Sequence, residues 1–158
     1  MALVSTKFNT DQFAAWRTHS IAAFARDKVE AGTWTSEEAD LRAIESFDQL
    51  LPVGMNTVGH AIRRVVTAED HELRGWFWVG PATDSAPGTG WLFDIEIVPT
   101  HRGRGLGREV MALVETEARR LGYARIGLHV FAHNPVARQL YESCDYHLTD
   151  LCYAKTLR

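Results

Sequence analysis

The chain has 158 residues, 46% of them hydrophobic and 23% charged, and carries a net charge of −3. That is enough chain for one domain with a sizeable core, and the charge balance gives no case for nucleic-acid binding. No apolar run reaches the length of a membrane span, Met1 to Lys7 lack the apolar core of a signal peptide, and two cysteines make no disulfide framework; the expectation is a cytoplasmic protein with residues 1–158 as a single domain and no membrane partner.

In chain order, Ala2 to Phe8 reads as a first strand. Asp11 to Ala31 reads as a helix, because Phe13, Trp16, Ile21, Phe24 and Val29 recur near helical spacing and Gly32 can end it. Thr35 and Glu38 have capping-box spacing for a second helix that carries Leu41, Ile44, Phe47, Leu50 and Leu51 on one face, stopped by Pro52 and Gly54. Two strands follow, Thr57 to Val66 and Leu73 to Val79, with a polar turn from Thr67 to Glu72 between them. Gly80 to Gly90 is a loop. Trp91 to Val98 is a strand closed by Pro99, and a long helix runs from Glu109 to Leu121. Arg125 to Val130 is a short strand and Asn134 to Cys144 a helix. Tyr146 to Thr149 and Cys152 to Thr156 close the chain as strands. Hairpins first and a strand–helix–strand unit later predict an α/β chain of the α+β kind. Its central sheet would be mixed but mainly antiparallel, of six to seven strands, with helices on both faces.

The junction between the Trp91 strand and the next helix is Arg102-Gly103-Arg104-Gly105-Leu106-Gly107. Alternating glycines let a ligand approach the backbone, and a helix start offers unpaired N–H groups at the positive end of its dipole. That is a seat for phosphate or pyrophosphate, with Arg102, Arg104 and Arg108 adding charge. A dinucleotide fingerprint needs Gly-x-Gly-x-x-Gly and a later acidic residue at a strand end. Neither is present, and no Gly-Lys-Ser/Thr follows for a mononucleotide loop.

The spacing Arg102-x-x-Gly105-x-Gly107 resembles the acetyl-CoA signature of the GNAT superfamily of N-acetyltransferases. The likeness continues upstream in Phe93-Asp94-Ile95-Glu96-Ile97-Val98-Pro99 and downstream in Asn134, Ala137 and Leu140-Tyr141-Glu142. The chain departs from the pattern at Cys144-Asp145-Tyr146, where Asp145 replaces the family's glycine, which puts the turn there in question. The resemblance implies a GNAT fold, acetyl-CoA as co-substrate and an amine acceptor. It implies cofactor contacts from Arg102, Gly103, Arg104, Gly105, Leu106, Gly107 and Arg108. Main-chain bonds from Ile97 and Val98 would hold the pantetheine arm where two strands part, and Asn134, Ala137 and Tyr141 would line the same arm. Asn134 before Pro135 also reads as a helix cap, and both roles are compatible.

Acetyl transfer to an amine of pKa near ~10.4 requires the ammonium to lose a proton and the departing sulfur to be neutralised. The resemblance makes Tyr141 the acid, although periodicity alone would place it in the core beside Val136, Ala137, Leu140 and Cys144. For the base, Asp94 and Glu96 share one face of their strand, with Phe93, Ile95 and Ile97 on the other. Glu96 is preferred and Asp94 is close behind, and either could instead pair with an arginine. Cys144 reads as a small buried hydrophobe and not as a nucleophile, so transfer is expected to be direct, in a ternary complex. His129, His133, Cys144, His147 and Cys152 fit no zinc spacing, so no metal is expected. Glu30, Glu37, Glu38, Asp40, Glu45 and Asp48 give the first helices an acidic bias, and Trp34, Trp76, Trp78 and Trp91 are candidates for an apolar cleft around a cationic amine. A solvated helix face and core tryptophans explain the same residues. The acceptor is therefore a small-molecule or peptide amine of unspecified identity, and a homodimer stays open. The alternative function is a CoA-binding sensor or interaction module with little catalysis.

Overall fold

The computed structural model describes residues 2–158. Its centre is a five-stranded sheet in the order β1 (Leu3–Lys7), β2 (Ala61–Thr67), β3 (Leu73–Pro81), β4 (Thr89–Ile97) and β5 (Arg125–Leu128). The first four strands are antiparallel neighbours, and β5 runs parallel to β4. Helices α1 (Thr10–Glu30) and α2 (Ala39–Leu50) cover one face, and α3 (Leu106–Arg120) and α4 (Pro135–Ser143) cover the other.

The period-2 alternation of the strands divides the core between those faces. Val65, Phe77, Val79 and Leu92 meet Val110, Met111, Val114 and Ala118 of α3 and Tyr141 of α4. Ile62 and Trp78 meet Trp16, Ile21 and Ala25 of α1 and Ala39, Ala43 and Phe47 of α2. The second layer is aromatic: Trp78 stacks on Phe93 at 4.6 Å and takes Trp16 edge-on at 5.7 Å. Each such pair contributes roughly 0.5–1.5 kcal/mol beyond its buried area.

Helix α1 begins with a reciprocal cap between Asn9 and Gln12, which the sequence reading passed over. The Thr35–Glu38 cap forms only in part: Thr35 N–H donates to Glu38 Oε1, and α2 starts at Ala39. The buried face of α2 is Ala39, Ala43 and Phe47, while Leu41 and Ile44 stay exposed. Small residues at i and i+4 let the two helices approach, so the bulkier aliphatic residues end up outside.

Two further expectations fail. The sheet has five strands among the described residues and not six to seven, because Tyr146 to Thr149 and Cys152 to Thr156 form no ladder. A strand needs a paired edge, and Leu148, Leu151, Tyr153 and Leu157 remain exposed instead. Phe93 also does not share a face with Ile95 and Ile97. The β3–β4 register passes from Trp78↔Asp94 to Val79↔Leu92, so Phe93 is the extra residue of a bulge. It therefore turns to the α1/α2 layer with Asp94. The departure at Asp145 is absorbed: its φ of 63° is the left-handed value a glycine would supply, and Tyr146 N–H closes the turn on Tyr141 C=O at 3.1 Å. Aspartate is one of the few side chains that visits this region readily.

Candidate active site

The bulge at Phe93 coincides with the end of β4–β5 pairing. β5 meets β4 only over Thr89–Leu92, so Phe93 to Ile97 run on with no strand partner on that side among the described residues. The resemblance implies a place where two strands part, and here β4 and β5 do so. Ile97 C=O faces the opening and accepts Arg102 Nε–H at 2.9 Å. Val98 differs from expectation. Its N–H donates to Arg74 C=O and its C=O accepts from His101 N–H, both at 2.9 Å. Pro99 starts a short 3-10 turn there, so both main-chain groups of Val98 are engaged within the protein.

Beyond that turn, Gly103 and Gly105 have φ of 70° and 77°. Gly105 is the N-cap of α3 and provides no side-chain cap, so the first N–H groups of the helix, at Leu106, Gly107 and Arg108, point outward uncapped. A Cβ on either glycine would meet nothing within 4 Å, so the glycines serve backbone geometry and open approach. Gly107 has a different cause: a Cβ there would come within 2.8 Å of Leu140, so it lets α4 pack close to α3. Leu106 anchors the turn in the core. Arg104 has no ion pair or hydrogen bond among the described residues, whereas Arg108 Nε donates to Ser143 Oγ at 3.2 Å and ties α3 to α4. A groove of about 390 Å³ lined by Arg108, Val136, Gln139, Leu140 and Ser143 flanks this seat. Asn134 caps α4 by accepting Ala137 N–H at 3.2 Å, which commits Ala137's amide and one Asn134 oxygen.

The two acids lie together on the α1 side, as their strand alternation requires. Trp16, His19 and Ser20, spaced i, i+3 and i+4 on α1, descend onto them. Asp94 Oδ2 accepts from Trp16 Nε1–H at 3.1 Å and Ser20 Oγ–H at 2.9 Å. Burial pushes the Asp94 carboxyl up to about 6, against the opposing pull of those two donors and with a small upward push from the Glu96 charge. Glu96 is more open. Its Oε2 meets His19 Nε2 at 2.9 Å and its Oε1 meets Arg102 Nη2 at 3.0 Å, so the arginine pairing weighed from the sequence is present. Tyr141 is buried on the other bank. Burial and then the charge of Asp94 raise its phenol to about 12, so it stays protonated at neutral pH.

Sequence reasoning missed His19 and Ser20. The available signal was two polar residues inside the apolar stripe from Trp16 to Phe24. It also raised His129 only as a metal ligand. At the end of β5, burial and then the Lys28 charge hold the His129 imidazole below its ordinary range. His133 does not join it but meets Asp27 and Glu30 of α1 at 3.1 and 3.5 Å. The tryptophans do not wall one cleft: Trp34 packs on Phe24, Trp76 on His19, Trp78 in the core and Trp91 over Gly127. Of the six acids of the first helices, Glu38 and Asp48 pair with Arg42 and Arg17, Glu30 with His133, and Glu37, Asp40 and Glu45 are exposed.

The acetyltransferase (GNAT) family model matches residues 21–146, which take in the strand, the turn and α4. The chain belongs to the GNAT family. This GNAT protein is 32% identical over 157 residues to an uncharacterised N-acetyltransferase of Bacillus subtilis, YycN, across 99% of its own length and 100% of the relative's. The crystal structure of YycN superposes with a TM-score of 0.91 at 31% identity, covering 99% of each chain. A mycothiol acetyltransferase of Cellulomonas flavigena is 32% identical over 139 residues, but the match spans only 36% of that longer protein. The fold recurs in spermidine N-acetyltransferase of Vibrio cholerae, solved with CoA and spermine, at a TM-score of 0.60 and 19% identity, over 90% of this chain and 79% of that one. No helix among the described residues is long and apolar enough to cross a membrane.

Proposed function

We propose that this protein, acting as one catalytic unit, moves the acetyl group of acetyl-CoA directly to a primary amine while both are bound. The observation that carries this reading is the open main-chain edge of β4 running into the uncapped start of α3, with carboxylates on one bank and a protonated phenol on the other. The residues present fit acetyl-CoA. The N–H groups of Leu106, Gly107 and Arg108, with Arg102 and Arg104, suit its pyrophosphate, and the Ile97 edge suits its amide-bearing arm as an added strand. Acetyl-CoA supplies the activated acyl group; the remaining work is positioning and proton transfer.

Glu96 takes the proton from the incoming ammonium, directly or through a water. It is the more open of the two acids, and its pairing with Arg102 is one that an anionic ligand at the glycine turn competes for. Asp94 is enclosed by Trp16 and Ser20, and its carboxyl near 6 supports a second reading in which it is the base. Tyr141 would stand toward the departing sulfur, whose thiol has an ordinary pKa near ~8.5. A phenol near 12 is too weak an acid to give its proton fully to such a sulfur, so its contribution is a hydrogen bond to charge developing there. The matches to acetyltransferases across the whole chain favour this reading over a catalytically idle CoA-binding module. Incubation with acetyl-CoA and a panel of small amines and peptides tests it by free-thiol release. The expected result is release that depends on one class of amine. Tight CoA binding with no amine-dependent release across the panel would favour the sensor.

A further inference from the structure

His19 takes part in no step described so far, yet two contacts build it into the site. Glu96 and Trp76 are direct partners across the β3–β4 ladder, so their side chains stand next to each other on the α1 face. The His19 ring descends from α1 onto both. Its Nε2 lies 2.9 Å from Glu96 Oε2, and its plane meets the Trp76 ring edge-on, with centroids 5.3 Å apart at 82°. A carboxylate can only accept, so Nε2 is the donor. The other Glu96 oxygen is held by Arg102, a residue of the glycine turn. The two restraints therefore differ in origin: one comes from the loop that suits an anion, the other from a helix on the opposite side of the sheet.

From this geometry we infer that His19 is the positioning residue for Glu96, fixing its carboxylate toward the acceptor when Arg102 turns to the cofactor's phosphates. Trp76 fixes the ring and the ring fixes the carboxylate. A carboxylate left with neither partner would rotate among several orientations, only some of which reach the amine. The inference rests on the reading of Glu96 as the base.

The test is a set of kinetic measurements on His19→Phe, His19→Gln and Glu96→Gln, with His19→Phe also placed in the Glu96→Gln background. His19→Phe keeps the ring on Trp76 and removes the donor; His19→Gln returns an N–H at about the reach of Nε2. His19→Phe is expected to lower kcat ~10-fold, with KM for acetyl-CoA within ~2-fold, and His19→Gln to recover most of the loss. In the Glu96→Gln background, His19→Phe should cost nothing further, because coupled residues are non-additive. Melting temperatures close to wild type confirm that all variants are folded. If Glu96→Gln slows the reaction while His19→Phe matches wild type, or if the two losses multiply in full, the positioning role is overturned and the base stands. A failure of His19→Gln to recover activity overturns it as well. If Glu96→Gln itself turns over like wild type, the base assignment is what fails.

Discussion

At the glycine turn the candidate ligand-facing groups are main-chain atoms: the uncapped N–H groups at the start of α3 and the carbonyl of Ile97, which accepts from Arg102. Across the sheet, on the α1 side, they are side chains: Asp94 under Trp16 and Ser20, and Glu96 between His19 and Arg102. A main-chain site is specified by where a helix starts and where two strands stop pairing, and a handful of glycines and a proline encode that locally. A side-chain site depends on which residue of a distant helix lands on which residue of a strand. In the proposed function the first region holds acetyl-CoA and the second handles the amine and its proton, so substitutions in the two should separate binding from turnover.

The largest separation is expected from Glu96→Gln and Tyr141→Phe. Each should lower turnover by ~10²-fold or more while leaving acetyl-CoA affinity nearly unchanged. Steady-state kinetics at fixed pH check this, and the Glu96→Gln loss should shrink at high pH, where the amine deprotonates unaided. Equal turnover for Tyr141→Phe would leave that ring as packing only. Gly105→Ala should do the reverse. Its φ of 77° costs an L-residue roughly 1 kcal/mol or more of stability, and the added methyl sits on the approach to the helix N–H groups. Weaker acetyl-CoA binding, with turnover at saturation kept near wild type, is the expected outcome of a calorimetric titration paired with rate measurements.

A smaller effect probes the α1 side through stability. The folded Asp94 carboxyl titrates near 6 against an ordinary 3.8, so between those values the folded protein binds more protons than the unfolded chain. Stability should therefore fall as pH rises from about 4 to about 6 and be unaffected by this group above that. Asp94→Asn should flatten that fall, read as the difference between the two melting-temperature profiles. A wild-type profile that rises relative to the variant in this window would show Asp94 to be stabilised in its charged form. The smallest change is at the α4 turn. Asp145→Gly relieves a left-handed aspartate at φ 63° and should raise stability by a few tenths of a kcal/mol, with activity unchanged. A lower melting temperature would mean that the Asp145 side chain contributes more than its backbone strain costs.

The same contrast explains what was legible in advance. The glycine turn, the strand before it and the Asn134-Pro135 helix start were readable because each is a local pattern. The shared face of Asp94 and Glu96 followed from strand alternation. The bulge at Phe93 was not readable, because an apolar residue continues the alternation in the sequence whether or not the register slips. The engagement of Val98 was not readable for a related reason: its main-chain groups meet Arg74 and His101, one across the sheet and one beyond Pro99. His19 was invisible because only the crossing of α1 over β4 brings it to Glu96. The tail from Tyr146 carries strand-like residues, but composition cannot show whether an edge is there to pair with it.

The division of labour is tested most directly by titrating acetyl-CoA into the doubly substituted Glu96→Gln, Tyr141→Phe protein by calorimetry. The account predicts a dissociation constant within ~3-fold of wild type, in a protein whose amine-dependent thiol release is lost. A fall in affinity of ~10-fold or more would contradict it, because the side chains assigned to the amine's proton and the leaving sulfur would then be holding the cofactor.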